Sequence, residues 1–79
     1  MLDAKCIGGT IRRLREDRHL TQEVFSGLAD LDRTHYSKIE RGLRVPNLET
    51  LFKIAQALDM QTWELIQELE KDFIQEKRS

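Results

Sequence analysis

Cysteine is almost missing from this 79-residue chain. Cys6 stands alone, so no internal disulfide can form, which is consistent with a reducing compartment. With His19 and His35 it is also the main material for a transition-metal site, and the three show no ligand spacing. Neither a metal nor any other cofactor is therefore expected. No apolar run exceeds two residues, which excludes a membrane-spanning segment. The opening "MLDAKCIGG" carries an acid early and has no apolar stretch of signal-peptide length, so the expected location is cytoplasmic. Runs of β-branched residues and period-two alternation are scarce, which argues against a sheet. Internal repeats and low-complexity linkers are missing too.

What the chain does contain is 39% hydrophobic and 34% charged residues, a globular rather than a disordered balance. Its length suits one small domain, near the lower size at which a core holds without a metal or disulfides. The net charge of −1 conceals an asymmetry. Residues 1–58 hold ten Lys/Arg against eight Asp/Glu, whereas residues 59–79 hold three against six. The sequence pI of about 6.1 is not the usual footprint of a nucleic-acid binder, so what matters is whether the first part gathers its cations on one face.

The apolar spacing predicts five helices. The first runs from about Ile7 to His19, with Ile7, Ile11 and Leu14 facing inward among arginines at 12, 13, 15 and 18. Thr21 offers a cap for a second, Gln22 to about Ala29, whose apolar positions are Val24, Phe25, Leu28 and Ala29. The small Ser26 beside Phe25 would allow another helix to approach closely. Asp32 caps a third, Arg33 to about Arg41, and Gly42 supplies the left-handed position after it. Asn47 caps a fourth, Leu48 to Leu58, with Leu48, Leu51, Ile54, Ala55 and Leu58 on its buried face. The fifth opens near Gln61 or Thr62 with a stripe of Trp63, Leu65, Ile66, Leu69 and Phe73. The second and third are joined by about three residues, Asp30 to Asp32, a joint suited to a helix-turn-helix corner.

From "IRRLRED" through "LTQEVFSGLADLDRTHYSKIERG" to "PNLETLFKIAQAL", covering about residues 7–66, the chain resembles the phage repressor/Cro-type (XRE) helix-turn-helix family. "LDRTHYSKIERG" and the short fifth helix are similar to restriction–modification controller proteins in particular. The resemblance implies an all-α fold: a five-helix, lambda-repressor-like DNA-binding domain over residues 1–79. Residues 7–58 would be its DNA-binding core and 59–79 its C-terminal dimerisation helix. Two positions depart from the family pattern. Asp30 stands where glycine is common in the turn, and His35-Tyr36 replaces a frequent aromatic–isoleucine pair, which places a phenol in the core.

The third helix would, by the same resemblance, enter the major groove with Arg33, Thr34, Ser37 and Lys38 facing bases. Arginine can pair with guanine O6 and N7, and threonine offers thymine a hydroxyl and a methyl. Gln22, His35, Arg41, Arg44 and Asn47 would contact phosphates, with Asn47 equally readable as a cap alone. Arg15 and Glu40 correspond to a structural ion pair. Trp63, Ile66, Leu69 and Phe73 form a stripe too rich for a helix covering so small a core, and are expected to make a two-fold dimer contact. The implied partners are double-stranded operator DNA, a second copy of the chain and RNA polymerase, with no membrane.

The function implied is sequence-specific transcription regulation on a pseudo-palindromic operator, as a controller autoregulating its promoter or as a phage-type repressor. The rival reading is an antitoxin-like protein-interaction module whose C-terminal stripe engages another protein. An enzyme is not expected. No nucleophile–base pair stands out, and Gly8-Gly9 lacks the rest of a phosphate-cradling loop.

Overall fold

A computed structural model of the chain describes residues 3–78, and the side chains of residues 3–75. Among these residues there are five helices and no strand: α1 (Ala4–Asp17), α2 (Gln22–Leu28), α3 (Arg33–Glu40), α4 (Leu48–Ala57) and α5 (Thr62–Arg78). Among the described residues no helix is long and apolar enough to cross a membrane. The sequence places the first start three residues too late, because Asp3 is itself a cap whose carboxylate accepts from the Cys6 N–H at 2.7 Å. Thr21, Asp32 and Asn47 cap α2, α3 and α4 as expected.

The corners follow one local rule. After each of α1 to α4 comes a residue at positive φ: His19 (57°), Asp30 (55°), Gly42 (78°) and Asp59 (59°). The next residue is apolar, and its N–H closes back on a carbonyl of the helix just ended. Leu20 reaches Arg15, Leu31 reaches Ser26, Leu43 reaches Lys38 and Met60 reaches Ala55. Leu20, Leu31 and Met60 then pack against the core. Three of these left-handed positions are thus held without glycine, at His19, Asp30 and Asp59. Asp30, the departure from family habit, adopts the conformation that glycine would.

The core gathers Ile7, Ile11, Leu14, Phe25, Tyr36, Ile39, Ile54, Leu58, Leu65 and Leu69 with Ala29 and Ala55. Phe25 and Tyr36 stack with ring centroids 5.1 Å apart, tilted by 46°. The α1 helix packs on both α3 and α5. Its close approach to α3 is possible because Gly8 has no side chain. A Cβ there would strike the Ile39 carbonyl oxygen and lie 2.6 Å from that of Glu40. Gly8 therefore belongs to a helix crossing, which the sequence alone does not reveal.

Three apolar helix positions lie outside, and one of them, Leu48, is expected from the sequence on a buried face. Leu48 is 74% exposed because it occupies the first turn of α4, beyond the edge of the core that the rest of its face covers. Val24 and Leu28 lie on the outer side of α2 while Phe25 and Ala29 point in. The opposite correction applies to Leu69. Expected on a dimer surface, it is only 2% exposed, because Leu65 and Leu69 at i, i+4 form the ridge that α5 buries.

Candidate nucleic-acid interface

One side of α3 is fixed to the protein and the other is left open. Tyr36, Ile39 and Glu40 are buried, and Glu40 joins three helices. Its carboxylate receives Arg15 Nε at 2.6 Å and Nη2 at 3.0 Å from α1, and Gln22 Nε2 at 2.9 Å from α2. The Tyr36 hydroxyl, one turn back on α3, donates to it as well. Arg15 uses its remaining nitrogen on the Leu20 carbonyl at 2.6 Å. Burial works against the charge on Glu40, but the hydrogen bonds from Arg15, Tyr36 and Gln22 outweigh it and hold the carboxyl below its ordinary range. Burial, with the Glu40 hydrogen bond second, pushes the Tyr36 phenol well above its own. Every buried side-chain polar atom among the described residues has a partner.

The open side carries Arg33 and Thr34, both exposed, with Ser37 and Lys38 half-buried beside them. Arg41 and Arg44 follow, Arg44 and Arg41 both exposed. Among the described residues none of Arg33, Lys38, Arg41 and Arg44 has a carboxylate within ion-pair reach, whereas Arg12, Arg13 and Arg15 all do. The one acid between residues 33 and 44 is Glu40, whose charge already faces Arg15. Four uncompensated cations on one outward helix and its following loop answer the question that composition leaves open. They give a field suited to a polyanion despite the chain's slight net negative charge.

The expected phosphate contacts divide into two groups. Arg41 and Arg44 project freely, and His35 is half-buried, its backbone N–H capped by Asp32 at 3.1 Å. Gln22 and Asn47 already have work within the fold. Gln22 spends one amide N–H on Glu40, leaving a single N–H for an outside acceptor. The Asn47 carbonyl oxygen accepts from the Thr50 N–H at 2.8 Å, which keeps its amide NH₂ available.

Away from α3, the expected dimer residues separate. Trp63 is 64% exposed and Ile66 42% exposed, on the side of α5 turned from the core; Phe73 is half-buried and Leu69 is internal. Phe52 of α4 and Ile74 of α5 are further exposed large apolar residues that the sequence pattern does not single out. Phe52 falls off the buried face of α4, which is the signal that could have marked it. The Tyr36–Glu40 contact is likewise legible as an i, i+4 pair.

Residues 11–62, from α1 to the start of α5, match the family described as "Helix-turn-helix". The control protein C.MunI of a Mycoplasma species is 41% identical over 66 residues, covering 82% of this chain and 89% of that one. The crystal structure of the restriction–modification controller protein C.AhdI from Aeromonas hydrophila is 37% identical with a TM-score of 0.75, covering 78% of this chain and 94% of that one. A third relative, the controller protein C.Esp1396I, was solved as a tetramer in complex with its natural 35 base-pair operator. It is 27% identical with a TM-score of 0.82, covering 90% of this chain and 93% of that one.

Proposed function

Because this chain belongs to the helix-turn-helix family, whose members are DNA-binding regulators rather than enzymes, we propose that it is a sequence-specific transcription regulator of the restriction–modification controller kind. It acts as a dimer on a pseudo-palindromic operator and autoregulates its own promoter, in the cytoplasm. The observation that carries this reading is the outward side of α3 and the loop after it, where Arg33, Lys38, Arg41 and Arg44 have no ion-pair partner among the described residues, beside a fully satisfied inner side. Arg33, Thr34, Ser37 and Lys38 read base edges in the major groove. Arg41 and Arg44, with His35, Asn47 and the spare N–H of Gln22, hold phosphates. RNA polymerase is the partner that an activating dimer would engage.

The dimer reading is supported by Trp63 and Ile66, large apolar side chains left in solvent on one side of α5. A two-fold pair would set two recognition helices about 34 Å apart, one turn of DNA. The test is selection of bound DNA from a random pool at a fixed, stated salt concentration. An enriched inverted repeat is the expected result, and a pool that stays unenriched overturns the proposal. Sedimentation of the pure protein distinguishes the rival: a monomer would favour a protein-interaction module, a homodimer the regulator.

A further inference from the structure

Among the described residues, those that α5 buries in the core are one ridge, Leu65 and Leu69, on a helix that packs against α1 and α4. A helix lying on one apolar ridge is free to tilt about it unless something ties its flank. Arg13 of α1 supplies the tie. Its Nη2 lies 3.0 Å from Glu68 Oε1 and 2.9 Å from Asp72 Oδ2, carboxylates one turn apart on α5. Thr10, buried and one turn earlier on α1, donates to the same Asp72 oxygen at 2.8 Å. Lys71 Nζ stands 3.5 Å from the other Glu68 oxygen. Burial works against the charge on Asp72, yet Thr10 and Arg13 together hold its carboxyl below the ordinary range.

The tie connects two faces with different tasks. α1 is locked to α3 through the Gly8 crossing and the Arg15–Glu40 pair. Opposite the ridge of Leu65 and Leu69, α5 bears Trp63 and Ile74, with Ile66 on the flank between, all three exposed. Whatever angle α5 makes with α1 is therefore the angle at which its exposed face stands to the recognition helix. We propose that Arg13 and Thr10, through Asp72 and Glu68, are positioning residues. They fix the tilt of α5 and so set the separation of the two recognition helices in the dimer, and with it the half-site spacing the regulator accepts. This rests on the dimeric DNA-binding reading above. The tie is half-exposed, so it adds little to stability, and its contribution is angular.

The experiment measures full-length protein on operators with identical half-sites and spacers differing by single base pairs. Wild type is expected to favour one spacer. Arg13→Ala and Asp72→Asn are expected to lose about twofold to fivefold of that discrimination, the scale on which surface ion pairs act. Melting temperature and affinity for an isolated half-site should stay near wild type, which a merely structural role would not allow. The exchange Arg13→Asp with Asp72→Arg should restore part of the preference. If Arg13→Ala fails to fold, Asp72→Asn, which keeps the size of the side chain, decides alone. Wild-type spacer discrimination in the folded variants overturns the inference while leaving the regulator intact. A wild-type protein indifferent to spacing overturns the dimeric reading itself.

Discussion

The phenol of Tyr36 donates to the same Glu40 carboxylate that Arg15 holds with two guanidinium nitrogens. Removing that carboxylate leaves a buried cation, a buried hydroxyl and the Gln22 amide without their shared acceptor. Breaking one side of a buried pair costs about 3–5 kcal/mol. A domain of this length holds roughly 4–12 kcal/mol in total. Glu40→Ala is therefore expected to bring the chain to the edge of unfolding, measured as a fall in urea midpoint, before any effect on DNA binding is counted. A melting curve like that of wild type would contradict the structural role of the pair.

The same carboxylate sets a dependence on pH. The folded protein holds Glu40 below its ordinary range, so the unfolded chain takes up a proton first as pH falls. The stabilisation is fully present above the unfolded value, about 4.3, and disappears as pH drops through the lower folded value. The stability gap between wild type and Glu40→Gln should thus be widest near neutrality and shrink in acid. A gap that is flat from neutral pH into acid would place the carboxylate's stabilisation elsewhere.

Gly8 and Gly9 are adjacent and identical in the sequence, and opposite in consequence. A methyl group on Gly8 would meet the backbone carbonyls of Ile39 and Glu40, which cannot swing aside as side chains can; nothing lies within 4 Å of one on Gly9. Gly8→Ala is expected to cost about 1–3 kcal/mol or more. Gly9→Ala, which only improves helix propensity, should stabilise by about 0.5–1 kcal/mol. Paired chemical denaturation of the two variants checks both signs.

The contrast explains what the sequence can and cannot convey. Caps and left-handed corners are local chemistry, so Thr21, Asp32 and Asn47 mark their helices from the residues alone. The role of Gly8 depends on two carbonyls of α3 more than thirty residues away, and no spacing within α1 encodes it. Periodicity tells which residues of α5 share a stripe, but not which part of that stripe meets the core, and so it groups Leu69 with Trp63. Arg13 is visible as one of several arginines, while its acidic partners, Glu68 and Asp72, lie on a helix whose placement only the fold supplies. The proposed base-contact residues come from family resemblance, and the absence of ion-pair partners for Arg33 and Lys38 among the described residues is what the structure adds.

Leu69 and Trp63 should separate in experiment as they do in space. Truncating the buried Leu69 to alanine opens a cavity and is expected to cost about 2–5 kcal/mol of monomer stability. Trp63→Ala removes a side chain that is largely in solvent in the single chain, so the melting temperature of the diluted monomer should hardly move. Self-association should weaken by about tenfold or more if Trp63 anchors the dimer. Sedimentation across a concentration series reads the second effect, and unchanged association in Trp63→Ala would remove α5's outer face from the interface.

Arg33 and Arg44 are both exposed and, among the described residues, both without an ion-pair partner, yet the proposed roles make their removal distinguishable. At the start of α3, Arg33 is proposed to face base edges, where a two-point contact to guanine is worth about 1–3 kcal/mol of discrimination. Arg33→Ala should weaken the operator by that amount and relax preference at one position in each half-site, with little change on unrelated DNA. Arg44, in the loop after α3, is proposed to neutralise a phosphate that every sequence possesses. Arg44→Ala should weaken specific and non-specific DNA alike and flatten the plot of log affinity against log salt by about 0.9 for each phosphate left without its cation. The two variants therefore move different observables: a base preference in one, a salt slope in the other. If Arg33→Ala kept full selectivity and altered only the salt slope, the register of α3 in the groove would have to be rotated, bringing Ser37 or Lys38 to the bases in its place.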